Sequence, residues 1–144
     1  MDKPKYTISV AAELSGISIH TLRMYEREGL IIPFKKESNQ RRYSDRDIDR
    51  IRCIRETINE HKLGLEAIRR VLSLIPCWAI IKCTEKDREN CQAFVSYSKP
   101  CWVFEHKNNT CRDRDCRECE VYQSFMHCGS IKDKLKELLP PNKG

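Results

Sequence analysis

Apolar residues recur at helical spacing through the first half of the chain, and glycines interrupt them. Val10, Ala11, Ala12 and Leu14 give a first segment a slim apolar face, and Gly16 follows where a helix stop with positive φ is expected. Ser9 is placed to cap that helix. Ser18 is placed to cap a second, from Ile19 to about Glu28, with Leu22 pointing inward and Gly29 ending it. Alanines and a glycine-containing turn of three or four residues let two helices cross closely, as a helix-turn-helix requires. The run Leu30-Ile31-Ile32-Pro33-Phe34 then predicts an extended segment. A polar turn over 35–40 and a return through Arg41-Arg42-Tyr43 complete a small hairpin wing. Ser44 with Asp47 three residues on predicts a capping box, opening a third helix on Ile48, Ile51, Ile54 and Ile58. Gly64 breaks the pattern, and Leu65, Ile68, Leu72 and Ile75 mark a fourth helix. The predicted fold class is mainly α with a small β-hairpin wing: a winged helix-turn-helix over 1–75, a small irregular cysteine-rich domain over 76–130, and a short amphipathic helix and tail over 131–144.

The second helix leaves His20, Thr21, Arg23, Tyr25 and Arg27 on faces able to enter a major groove or lie along phosphates. The wing adds Lys35, Arg41, Arg42 and Tyr43, and arginine there suits phosphate oxygens or a narrow minor groove. A merely solvated helix face would show the same spacing. The ordered series carries more: Ile8-Ser9-Val10-Ala11-Ala12, then Thr21-Leu22-Arg23-Met24-Tyr25-Glu26-Arg27-Glu28-Gly29-Leu30, then Arg41-Arg42-Tyr43-Ser44-x-x-Asp47. Over roughly residues 6–75 it resembles the MerR family of bacterial transcription regulators, with wording most similar to the heat-shock repressor branch. The resemblance implies a homodimer on a pseudo-palindromic double-stranded promoter site, beside RNA polymerase, with the recognition helix in the major groove. It also implies that Arg23, Tyr25, Arg41, Arg42 and Tyr43 are the foremost DNA contacts.

Family members place a long dimerisation helix soon after the position of Ile75. Here Pro76 halts the fourth helix instead. The only later helical stripe is Ile131, Leu135, Leu138 and Leu139, ended by Pro140-Pro141. About nine helical residues span only ~14 Å, short for an antiparallel coiled coil, so the cysteine-rich region is a candidate for part of the dimer interface.

The chain has 144 residues and a net charge of +6, with 15 Lys/Arg against 11 Asp/Glu in residues 1–75. That mild excess permits nucleic-acid binding without showing it. No run of 18 apolar residues exists and the first residues lead into no signal-type stretch, so the expectation is a cytoplasmic protein with no membrane association. A nucleotide-binding glycine pattern, a thioredoxin-like Cys-x-x-Cys and paired catalytic carboxylates are all missing, which argues against an enzyme.

Nine cysteines are present, and eight fall in the second half: Cys77, Cys83, Cys91, Cys101, Cys111, Cys116, Cys119 and Cys128. In a reducing compartment such a cluster points to metal or redox chemistry rather than disulfides. The region repeats itself loosely. Pro76-Cys77-Trp78 is echoed by Pro100-Cys101-Trp102, and Cys91-x-Ala93-Phe94 by Cys119-x-Val121-Tyr122. Such units resemble cysteine-rich modules of bacterial signalling proteins. Three chemistries compete for the eight thiols. An iron–sulfur cluster, most simply 4Fe–4S, suits cysteine ligands of irregular spacing shielded by Trp78, Trp102, Phe94 and Tyr122. Structural zinc suits the single Cys116/Cys119 knuckle, with His106 or His127 as spare ligands. A thiol–disulfide switch needs no metal. Eight thiolates are twice the complement of one site, so either two centres form or some cysteines are structural. Cys53, beside Ile54 in the third helix, reads as a core residue outside the site.

Overall fold

The computed structural model describes residues 3–36, 38, 40–81, 83–89, 91–104, 111, 115–125, 133, 136 and 137. Helix α1 (Ile8–Ser15) is capped by Thr7, whose hydroxyl accepts the Val10 N–H at 3.3 Å, so the cap falls two residues ahead of Ser9. Gly16 ends α1 at φ 71° and gives the chain its sharp exit. Ser18 accepts the Thr21 N–H at 3.0 Å and opens α2 (Ile19–Arg27). Ala11, Ala12 and Leu22 are buried where these helices cross. Small side chains at that crossing are what allow the tight joint.

The wing is shorter than the apolar run suggests. Strand β1 (Phe34–Lys35) pairs antiparallel with β2 (Arg41–Arg42), Phe34 opposite Arg42 and Lys35 opposite Arg41. Leu30 and Ile31 are core residues, 0% and 2% exposed, but they belong to no strand. The backbone groups around them are taken by distant side chains instead of a ladder, as the site geometry below details. Helix α3 (Asp45–Glu60) opens with both halves of the expected capping box: the Asp47 N–H to Ser44 Oγ at 3.2 Å and the Ser44 N–H to Asp47 Oδ2 at 2.7 Å. Helix α4 (Leu65–Ser73) buries Ile68 and Leu72.

Beyond Pro76 the chain folds into short pieces: α5 (Cys77–Ile80), α6 (Glu85–Glu89), α7 (Gln92–Val95), 3₁₀ turns at Cys101–Val103 and Cys116–Glu118, and α8 (Glu120–Gln123). None is long enough to hold itself together in water. The pieces over 101–125 are held by the front half: Trp102, Val121, Tyr122 and Phe125 belong to the same buried cluster as Leu22, Leu30, Ile51 and Ile54. The boundary read at residue 75 is therefore a change of sequence character and not a break in packing. Among the described residues no helix is long and apolar enough to cross a membrane. The predicted stripe of Ile131, Leu135, Leu138 and Leu139 lies outside the described residues.

Candidate nucleic-acid interface and cysteine pocket

Helix α2 presents His20, Arg23 and Arg27 to solvent, and β1 presents Lys35. With Arg41, Pro33 and Glu26 these side chains line one groove between α2 and the wing. Thr21 is half-buried at its start, its hydroxyl 2.9 Å from that of Ser18. Arg42 is half-buried and holds the turn, reaching the Arg41 carbonyl at 3.2 Å and the Gln40 side chain at 3.2 Å. Two of the expected contacts are not on this surface. Tyr25 and Tyr43 are 2% and 0% exposed, and burial raises both phenols above the usual range. Their rings belong to the buried core. Spacing on an amphipathic helix does not distinguish an aromatic that reads DNA from one that packs beneath the reader.

The residue that sequence reasoning passed over is Glu26. Its carboxylate forms an ion pair with Arg41 Nε at 2.7 Å and accepts the Tyr43 hydroxyl, with its side chain only 8% exposed. It fixes Arg41 in the groove and ties α2 to β2. The only sequence signal was its place in Met24-Tyr25-Glu26-Arg27, one helical turn after Arg23.

In the second half, Cys77, Cys83, Cys91, Cys101, Cys111, Cys116 and Cys119 all line one pocket, with Trp78, Phe94, Trp102 and Tyr122 among the walls. All seven are outside any disulfide and are partly buried. Cys128, His106 and His127 lie outside the described residues. Cys77 and Cys101 share a hydrogen bond that draws the Cys77 thiol down and, with burial, pushes the Cys101 thiol up. Burial pushes Cys83 and Cys116 up as well. Among the described residues, no three Cys, His, Asp or Glu side chains stand together as a ready-made grip for a bare ion. The thiols ring a space; they do not close on a point. Cys53 stays outside this set, 5% exposed in α3 as expected of a core residue. Its sulfur is in a disulfide, which the reducing-compartment argument left out.

The loose repeat has a structural counterpart. Trp78 meets Phe94 edge-on at 5.3 Å and 89°, and Trp102 meets Tyr122 at 5.1 Å and 88°. Cys91 precedes α7 as Cys119 precedes α8. An arginine lies over each second ring: Arg88 at 5.9 Å from Phe94 and Arg50 at 3.8 Å from Tyr122. The first pair is about one-third exposed, while Trp102 and Tyr122 are 9% and 2% exposed. The second pair is the one docked on the DNA-binding half.

That docking is polar as well as apolar. Trp102 donates its indole N–H to the Gly29 carbonyl at 2.5 Å, and the Tyr122 hydroxyl accepts the Ile32 N–H at 2.9 Å. Arg117 donates to the Ile32 carbonyl and forms a buried pair with Asp47. Arg50, fully buried, donates Nε to the Leu30 carbonyl at 2.9 Å and Nη1 to the carbonyls of Tyr122 and Phe125 at 2.7 and 2.5 Å. Its guanidinium also lies against the rings of Trp102, Tyr122 and Phe125. A buried cation is tolerable only when hydrogen-bonded in this way.

A family model described as MerR HTH family regulatory protein matches residues 6–75. A putative heat shock protein HspR of Streptomyces coelicolor is 42% identical over 73 residues, 51% of this chain and 48% of that protein. This chain thus spans about half the length of that relative. An uncharacterized HTH-type transcriptional regulator of Haemophilus influenzae is 39% identical over 133 residues, 88% of this chain and 90% of that protein. A solved structure of HiNmlR, a MerR family regulator lacking the sensor domain and bound to promoter DNA, is 33% identical. It covers 49% of this chain and 54% of its own, with a TM-score of 0.42.

Proposed function

This chain belongs to the MerR helix-turn-helix family of regulatory proteins, and from that premise we propose a DNA-binding transcription regulator whose promoter grip answers to an iron–sulfur cluster in the cysteine pocket. The observation that carries the cofactor clause is the convergence of seven cysteine side chains on one apolar pocket that shares a core with the DNA-binding half. The donor set fits such a group: seven thiols line the pocket beside the single carboxylate of Asp87, and the buried rings of Trp102 and Tyr122 wall one side of it. A cluster bound there supplies a redox-active, oxygen-sensitive centre whose potential depends on burial and hydrogen bonding to its sulfurs. What the chain itself does is hold the thiols in a partly buried pocket and carry Arg23, Arg27, Lys35 and Arg41 on a cationic groove able to take the phosphates and base edges of double-stranded promoter DNA. In this reading the protein acts in the cytoplasm as a homodimer beside RNA polymerase and catalyses nothing. The likeness to the heat-shock protein of Streptomyces spans only about half of either chain and speaks to the DNA-binding half alone.

The deciding experiment is iron, acid-labile sulfide and zinc per chain on protein purified without oxygen, followed by promoter binding before and after the cofactor is stripped. Iron and sulfide at about four each, with affinity that changes on stripping, is the expected result. One or two zincs and no iron would make the pocket a structural metal site. Metal-free protein whose DNA affinity follows reductant and oxidant would make it a thiol switch. Binding indifferent to all three treatments would leave a DNA-binding protein without a sensor.

A further inference from the structure

The turn between α2 and the wing, residues 29–32, sets how the recognition helix and the wing are angled against each other. Backbone bonds fix only its start, the Gly29 N–H to the Glu26 carbonyl at 3.1 Å and the Leu30 N–H to the Tyr25 carbonyl at 3.0 Å; side chains from elsewhere hold the groups that follow. The Gly29 carbonyl is held by Trp102, the Leu30 carbonyl by Arg50, the Ile32 N–H by Tyr122 and the Ile32 carbonyl by Arg117. Three of those four side chains come from the cysteine-rich half. The same Trp102 and Tyr122 form part of the pocket wall.

Each of these docking side chains sits beside a pocket cysteine. Cys101 precedes Trp102, Cys116 precedes Arg117, and Cys119 opens the short helix that carries Tyr122. A thiol cannot be drawn toward a bound group without moving the backbone that bears its neighbour. The contact is also close. A β-carbon at Gly29 would stand 2.3 Å from Val103 Cγ1, so the turn and the 3₁₀ segment leave no slack between them. Close-packed contacts transmit displacement rather than absorb it. The equivalent aromatic pair of the first repeat copy, Trp78 and Phe94, is about one-third exposed.

We propose that Trp102 and Tyr122 are the positioning residues that transmit the occupancy of the cysteine pocket, within one chain, to the α2–wing turn at residues 29–32. The inference rests on the cofactor reading above for its effector but on the observed hydrogen bonds for its route. For the pocket state to shift DNA binding, it must favour one setting of this turn over another. Trp102 and Tyr122 are the side chains that touch both the pocket and the turn.

Amide hydrogen exchange of full-length protein tests this, with ferrous iron plus sulfide, and separately Cd²⁺, as probes of the pocket. In the parent, loading is expected to change exchange of the 29–32 amides. In Tyr122→Phe and Trp102→Phe, compared at matched metal occupancy, that change should shrink several-fold. Even without metal, Tyr122→Phe should speed exchange at Ile32 about five- to tenfold, since one hydrogen bond is removed while the ring stays. If both variants keep the full response of residues 29–32 to loading, the route is wrong. If the parent takes up neither probe, the cofactor reading fails separately, and the metal-free measurement decides the docking: parent-like exchange at Ile32 in Tyr122→Phe would overturn the link.

Discussion

Arg117 reaches both carboxylate oxygens of Asp47, at 2.9 and 2.6 Å, with neither side chain more than 7% exposed. These residues are 70 positions apart and join the cysteine-rich half to the N-terminus of α3. Asp47 does double service there, because it also closes the capping box with Ser44. Removing one partner of such a pair strands the other in a place without water.

Asp47→Ala is therefore expected to cost about 3–5 kcal/mol of stability, read as a fall in the urea midpoint. Asp45→Ala is the control, because its pair with Lys5 is solvent-exposed on both sides and should leave the midpoint unchanged within error. Tryptophan fluorescence and helical circular dichroism should trace the same transition, since Trp102 shares one core with α3. Two separated transitions would mean that the halves fold independently.

The local features were legible because they depend on near neighbours. The Ser18 cap, the Ser44–Asp47 box, the stops at Gly16 and Gly29, and the inward Leu22 all follow from residues within one helical turn of each other. The repeat of Cys77-Trp78 by Cys101-Trp102 was legible too, but not the edge-on pairing of Trp78 with Phe94 and of Trp102 with Tyr122. What sequence spacing does not encode is which charge is buried by a distant segment. Nothing in the spacing singles out Arg50, yet its guanidinium lies against three aromatic rings. Tyr25 and Tyr43 read as groove residues and are core, 2% and 0% exposed. The missing strand over Leu30–Ile32 has the same origin, since side chains from far along the chain take its hydrogen bonds.

Arg23, in the groove between α2 and the wing, and Arg42, in the wing itself, should behave differently in DNA binding. Arg23 is exposed on α2, and Arg23→Ala should cost about 1–3 kcal/mol and relax sequence preference if it makes a bidentate base contact. Arg42 is partly engaged in holding the wing turn. Arg42→Ala should weaken binding to all sequences alike and lower the salt slope by about one. Titrations of specific and scrambled duplexes at several salt concentrations separate the two effects. If both variants bind like the parent, the groove is not the recognition surface.

Glu26 should matter to the same titrations without touching DNA. Glu26→Gln keeps its size but loses the ion pair that holds Arg41 in the groove. The expected outcome is weaker binding at low salt, by a few-fold, with the difference fading as salt screens the remaining charges. Equal binding at every salt concentration would show that Arg41 needs no such support.

Cys101→Ser and Cys53→Ser distinguish the pocket from the core. Cys101 sits among the other pocket thiols and beside Trp102, so its loss should lower metal per chain after anaerobic reconstitution. Cys53 lies in α3 and is already in a disulfide, so Cys53→Ser should leave metal content at the parent value. A fall of equal size in both would place Cys53 in the site after all.

Gly29 offers the sharpest test of how tightly the halves are seated. Its φ of 77° is left-handed, a conformation that costs a residue with a side chain roughly 1–2 kcal/mol. Alanine there also meets Val103, whose Cγ1 lies 2.3 Å from the ideal β-carbon. Overlap of that kind adds about 1–3 kcal/mol. The two costs separate in a double-mutant cycle, because only the second depends on Val103. Val103 is 38% exposed, so Val103→Ala alone should destabilise little, by about 0.5 kcal/mol or less. In the Gly29→Ala background it should instead recover stability, giving a coupling of about 1 kcal/mol or more. Simple additivity would mean that the turn can step away from the 3₁₀ segment, and a turn that free could not be steered by it.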